Sequence, residues 1–195
     1  MPKDYSLEPF NLQRRPENAM PDEWTRESLG RARIGHVATR WDDQPFITPT
    51  NFWYDPERNE IYFHSNIVGR VRANAERSSA RGEAVCFEAS EFGRFLPSNV
   101  ALEFSLQYES VICFGTIRVV EEAEEKRRGL YGLLAKYFPG MRAGEEYRPI
   151  AGDELKRTSV YAIAIRSWSG KRNWPERAVQ SDEWPPLGTV WFESG

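Results

Sequence analysis

The sequence predicts a mainly β protein, an antiparallel β-barrel with peripheral α-helices. Three observations carry this. Segments rich in β-branched and aromatic residues recur along the chain, and several alternate apolar with polar side chains. The turn cluster DPERNE joins two of them as a hairpin. Helical periodicity is confined to short stretches between or after the strands, with no internal repeat, and a sheet of this kind is closed most economically as a barrel.

The elements follow in order. Residues 1–20 are polar, carry Pro2, Pro9 and Pro16, and read as an extended arm. PDEWTRESLGRAR is a helix that Pro21 opens, with acids in its first turn and arginine in its last, as the helix dipole prefers. RIGHVATRW, PFITPTNFWYD, EIYFHSN, GEAVCFEAS, SLQYESVICFGTIRVV and SVYAIAIRSW are the strands. GRVRANAERS is a short basic helix. In EEAEEKRRGLYGLLAKYFPG, Leu130, Leu133, Leu134 and Tyr137 share one helical face and Pro139-Gly140 stops it. PERAVQSDEW is a further helix candidate. The domain therefore spans 21–170, and 171–195 is a C-terminal arm whose short helix packs on the barrel or on a partner subunit.

Composition excludes several functions. The 195 residues hold 26 Lys+Arg against 29 Asp+Glu, a net charge of −3, which argues against a nucleic-acid footprint or attraction to anionic lipid. The 2 His and 2 Cys lack structural zinc spacing, so no metal site is expected. Cys86 and Cys113 read as small buried residues in a reducing compartment. No apolar run is long enough to span a membrane and the start is no secretory signal, so the expected location is the cytoplasm.

Four segments offer chemistry. FHSNIVGRVRANAERS ends a strand, turns through a small polar loop and begins a helix. Ser65, Gly69 and Arg70 there supply a hydroxyl, close backbone approach and a guanidinium, which suit a phosphate; an ordinary strand-to-helix connection is the plain alternative. His64 shares a strand face with Tyr62 and sits beside that loop, either as a hydrogen-bonded structural residue or as a proton-transfer group. His36, in RIGHVAT, reads as a packed core residue. Pro49 in TPTNFW cannot donate to a ladder and marks an edge, a bulge or a ligand contact. Trp174 and Trp184 in the tail either pack or cover a flat ligand.

TPTNFWYDPERNEIYFHSNIVGRVRANA, AVCFEAS and YESVICFGTIRVVEEAEEKRRGLYGLLAKYFPG together resemble the FMN-binding split β-barrel superfamily that includes pyridoxamine-phosphate oxidase, and within it the Nim group of nitroimidazole-resistance proteins. The resemblance runs from about Asp22 to Lys171. It implies a homodimer with FMN in grooves between subunits. Ser65, Gly69 and Arg70 would meet the FMN phosphate, with Arg70 where the oxidases have lysine, and Asn66 would also lie in the cofactor site. Thr48, Pro49, Thr50 and Asn51 would lie along the isoalloxazine, with Ser110 also in the cofactor site. Thr48 and Ser110 depart from the arginine and glutamine of the oxidases, which argues against tight FMN binding and against a pyridoxamine-phosphate substrate. His64 matches the active-site histidine of the Nim group. The activity implied is reduction of a flat nitroaromatic, such as a nitroimidazole to its amine, with Tyr108 and Trp174 as stacking candidates. The alternatives are an FMN oxidoreductase with another acceptor, or a non-catalytic protein binding flavin, haem or a small anion, with His64 as the axial ligand of a haem.

Overall fold

The computed structural model describes residues 8–192. The first seven residues of the expected N-terminal arm and the last three of the C-terminal arm lie outside them. Eight strands form one antiparallel sheet: β1 (Ala19–Met20), β2 (Gly35–Trp41), β3 (Gln44–Thr50), β4 (Trp53–Asp55), β5 (Glu60–Asn66), β6 (Ala84–Leu96), β7 (Ser105–Val120) and β8 (Thr158–Asn173). The helices are α1 (Asp22–Arg31), α2 (Arg70–Arg81), α3 (Ala123–Tyr137) and α4 (Gly152–Lys156).

The strand order is β3-β2-β6-β7-β8-β5-β4, with β1 paired to β8. The two ends of this path, β3 and β4, are separated in the chain only by Asn51 and Phe52. The sheet must therefore curl until its edges meet, and the ladder stops there: a split barrel, as the sequence predicts. The segment PFITPTNFWYD thus makes two strands instead of one. Pro49 stands on β3, which is paired on one side only, by β2. The hairpin read from DPERNE is β4–β5, with Tyr54 opposite Ile61.

The core fills the barrel. Val37, Ile61, Phe63, Phe87, Val111 and Ile163 point inward, Phe63 stacks on Tyr161 at 4.8 Å, and Phe52 meets Phe87 edge-on at 4.7 Å. Outside the barrel, Tyr62, Val120, Val160 and Ala162 form a second cluster covered by Trp53 and Leu130. Strand β5 is thus buried on both faces through Phe63, and the face carrying Tyr62 lies under α3. The approach of that helix requires glycine: a Cβ on Gly132 would stand 2.2 Å from the Trp53 ring, and one on Gly129 would stand 2.8 Å from Tyr62.

Four expectations need correction. His36 is not in the core; alternate residues Gly35, Val37 and Thr39 face inward, and His36 points outward with Nδ1 2.9 Å from Glu88 Oε2 on the neighbouring strand. Cys113 is buried but Cys86 is only half-buried, on the opposite face of the ladder. Residues 175–184 form turns rather than a helix; Asn99 holds them through bonds to Ser181, Trp184 and Pro185, and the tail's one helical turn is Thr189–Phe192. Trp174 packs on Gly93, whereas Trp184 remains 66% exposed.

Candidate functional site

Strand β5 ends at the mouth of a cleft of about 510 Å³. His64 and Asn51 form one side of it. Extending the β4–β5 register beyond Trp53–Tyr62 sets Asn51 against His64, so the break between β3 and β4 is what brings them together. Leu130, Leu133, Leu134 and Tyr137 of α3 form the opposite wall, and Tyr147, Arg148, Ile150 and Glu154 close the rim. The helix approaches the sheet closely at its glycines, Leu130 covers the outer cluster, and the leucine stripe also lines the cleft. Tyr137 fixes that wall: its hydroxyl donates to Arg33 O at 2.6 Å and accepts from Phe52 N at 3.1 Å.

The volume lies in the range of small-molecule and cofactor sites, roughly 300–1,000 Å³, and the lining is mostly apolar. Those apolar neighbours desolvate the imidazolium, so the His64 pKa falls below the ordinary histidine value although the ring is open to the cleft. His64 is therefore predominantly neutral at neutral pH, able to accept a proton or to offer a ring nitrogen to a metal. At the rim, Arg148 pairs with Glu154 at 2.7 Å, and Glu154 also accepts from Ala151 N at 2.8 Å.

The loop after β5 continues directly from His64. Ser65 Oγ lies 2.8 Å from Tyr161 Oη, and Asn66 Oδ1 accepts from Val68 N. Gly69, with φ of 125°, occupies a backbone region that only glycine adopts freely, and it precedes the first turn of α2 without a side-chain cap. The opening amides of α2 therefore remain available to an anion. The Arg70 guanidinium lies 5.3 Å from the Trp41 ring and 5.1 Å from the Phe46 ring, which ties this loop to the β2–β3 hairpin. Beside it, β3 presents Thr48 and Thr50 half-buried and Pro49 exposed along its open edge.

Of the sequence-predicted residues, Asn51 and His64 line the cleft, and Ser65, Asn66, Gly69 and Arg70 follow in the adjoining loop. Thr48, Pro49 and Thr50 stand on β3, where Pro49 is opposite His36, which is opposite Glu88, which is opposite Ile112 near Ser110 on β7. Tyr108, Ser110 and Trp174 lie at the end of β7 and β8 far from His64: His64 is opposite Val160, which is opposite Val120, and Ser110 is ten residues further along β7. At the rise of a β-strand that separation is roughly 30 Å. At that far end Lys171 Nζ lies 5.0 Å from the Tyr108 ring and Arg172 stacks 5.2 Å from Trp174. The rim residues Tyr147, Arg148, Ile150 and Glu154 escaped the sequence reading because no motif marks them. The α3 wall had a visible signal: Gly129 and Gly132, three apart, beside a leucine stripe.

Among the described residues no group of three His, Cys, Asp or Glu side chains could hold a metal ion. No described helix is long and apolar enough to cross a membrane.

Comparison with known proteins agrees with this architecture. The flavocytochrome Anf3 from Azotobacter vinelandii superposes with a TM-score of 0.74 at 23% identity, covering 88% of this chain and 76% of that one. The FAD and heme binding protein from Mycobacterium smegmatis gives 0.67 at 24% identity, covering 90% and 78%. A protein named for 5-nitroimidazole antibiotic resistance, from Bacteroides thetaiotaomicron, gives 0.63 at 21% identity, covering 79% and 86%. At these identities the likeness is one of fold. No curated protein matches the chain. Residues 21–172 match the sequence profile of pyridoxamine 5′-phosphate oxidase, most of the chain, and the chain belongs to that family of flavin-binding split-barrel proteins.

Proposed function

We propose that the protein is a flavin-dependent oxidoreductase that reduces flat nitroaromatic compounds, nitroimidazoles among them, in the cleft at His64. The observation that carries this reading is the position of His64, facing a leucine-lined cleft of about 510 Å³ and adjoining in sequence a loop suited to phosphate. Ser65, Asn66, Gly69 and Arg70 would hold the phosphate of FMN, and the open edge of β3 from Thr48 to Asn51 would bond the rim of its ring system. When bound, FMN would pass on the electrons of an external reductant, two at a time. The leucines of α3 exclude water from a flat ring, Asn51 offers an amide to orient a polar substituent, and His64 exchanges protons.

A second copy of the chain completes the site in this reading. Tyr108, Ser110 and Trp174 lie roughly 30 Å along the strands from His64 within one chain, and a partner would bring a second set of them to the His64 end of the cofactor. A cytoplasmic setting, where thiols stay reduced, suits the free Cys86 and Cys113.

One observation favours a second reading. His64 opens onto an apolar wall that favours its neutral form, and a neutral imidazole there could hold the iron of a haem. One pair of titrations separates the two. Binding of FMN with turnover of a nitroimidazole that His64→Ala abolishes supports the reductase. A haem Soret shift lost in His64→Ala, with no nitro reduction in the parent protein, supports the second reading. A protein that neither cofactor reconstitutes refutes both.

A further inference from the structure

A second cleft, of about 560 Å³, opens between the ends of α1 and α3, lined by Gly30, Arg31, Arg33, Lys136, Tyr137 and Pro139. Lys136 is its unusual member. Its Nζ donates to Leu29 O at 2.9 Å and lies 3.5 Å from the centre of the Phe52 ring. Leu29 and Phe52 are both fully buried, so the amine is seated against apolar atoms and one carbonyl. Lys136 itself is half-buried, and a lysine amine seated in this way ordinarily has a carboxylate partner. The ion pairs of the described residues do not include Lys136. From β6, Glu91 attracts it only at a distance; from the α1 side, Arg31 and Arg33 add positive charge, and Glu109 of β7 is engaged by Arg31 at 2.7 Å.

We infer that this cleft is a covalent binding site for a small anionic carbonyl compound, a 2-oxo acid or an acid aldehyde, held as a Schiff base on Lys136 with its carboxylate on Arg33. The Lys136 nitrogen attacks the carbonyl carbon and a C–N bond forms. The carbonyl oxygen leaves as water, taking both protons of the neutral amine, and C=N remains. No electrons are exchanged, and added water reverses the reaction. Burial prepares the amine for this, pushing its pKa down to about 7, so that near neutral pH a large share of it carries a free lone pair. With Arg31 occupied by Glu109, the exposed Arg33 is the cation a carboxylate meets. Tyr137 holds the Arg33 carbonyl at 2.6 Å and so fixes the backbone beside the amine.

The test is reductive trapping. The full-length protein is treated near neutral pH with limiting glyoxylate and cyanoborohydride, and the modified lysines are located by peptide mass spectrometry. Lys136 should be alkylated about tenfold faster than Lys126, Lys156 or Lys171, because its neutral fraction far exceeds that of an ordinary lysine. Arg33→Ala should slow the reaction with glyoxylate about tenfold and leave that with uncharged propionaldehyde unchanged, and Arg33→Lys should restore it. Labelling of Lys136 no faster than of the other lysines would overturn the inference. So would an Arg33→Ala effect equal for both probes, or no effect at all.

Discussion

Replacing Gly132 by alanine should destabilise the protein, although alanine is the better helix former. The added Cβ would stand 2.2 Å from two atoms of the Trp53 ring, where ordinary contact begins at 3.4 Å, so ring and helix must separate by about 1 Å. Trp53 cannot swing away freely, since Tyr62 lies 5.7 Å to one side and Arg128 lies 5.9 Å from its ring. A contact this short lies at the upper end of what overpacking costs, about 2–3 kcal/mol, and alanine returns about 1 kcal/mol of helix propensity, so a net loss of about 1–2 kcal/mol is expected. With a urea slope of roughly 2 kcal/mol/M, the unfolding midpoint falls by about 0.5–1 M. Gly30 in α1 supplies the control: nothing lies within 4 Å of its Cβ position, so the same substitution there should stabilise by about 0.5–1 kcal/mol. Urea titration of both variants reads both signs. A Gly132→Ala protein as stable as its parent would refute the account of how α3 is seated.

Three further predictions follow from the electrostatics. Glu125 receives bonds from Arg118, Tyr62 and Arg58 and is held down to about 2, against an ordinary value of 4.5. A depressed carboxylate contributes stability that is present above its unfolded pKa and lost as pH falls through the folded one. On the order of 2 kcal/mol should therefore disappear between about pH 5 and pH 2, after allowance for the partly exposed Arg118, and Glu125→Gln should flatten that part of the profile in denaturation experiments. Asp55 is fully buried and accepts two bonds from Arg128 at 2.6 and 3.0 Å, so Asp55→Asn should cost about 3 kcal/mol by thermal unfolding; a cost near zero would show the pair to be dispensable. Replacing Leu134 by glutamine should wet the cleft and raise the His64 pKa toward its ordinary value, which NMR titration of the ring proton reads directly; an unmoved value would contradict desolvation as the cause.

The strands and helices were legible because their signals are local. Val37, Ile61 and Phe63 alternate with outward residues, and Pro139-Gly140 ends α3 as the sequence reads. The failures have a common physical source in partners distant along the chain. Strand β6 continues past Ser90 to Leu96 because β7 supplies its ladder, across a bulge between Phe92 and Phe95, which no local pattern announces. His36 points outward because its acid, Glu88, comes from another strand, which no local pattern shows. At the site, the run from His64 to Arg70 was visible since it is continuous. The Tyr147–Glu154 rim was not, because the fold alone brings that segment over the cleft.

The way α3 rests on the barrel separates two tasks that one helix surface usually shares. Backbone at Gly129 and Gly132 supports the sheet, while Leu134 lines the cleft. Exchange of Leu134 should therefore alter ligand preference with little loss of folding, whereas the glycines tolerate almost no change. A substitution on that cleft-facing surface reshapes the cleft and leaves the barrel beneath it unaltered.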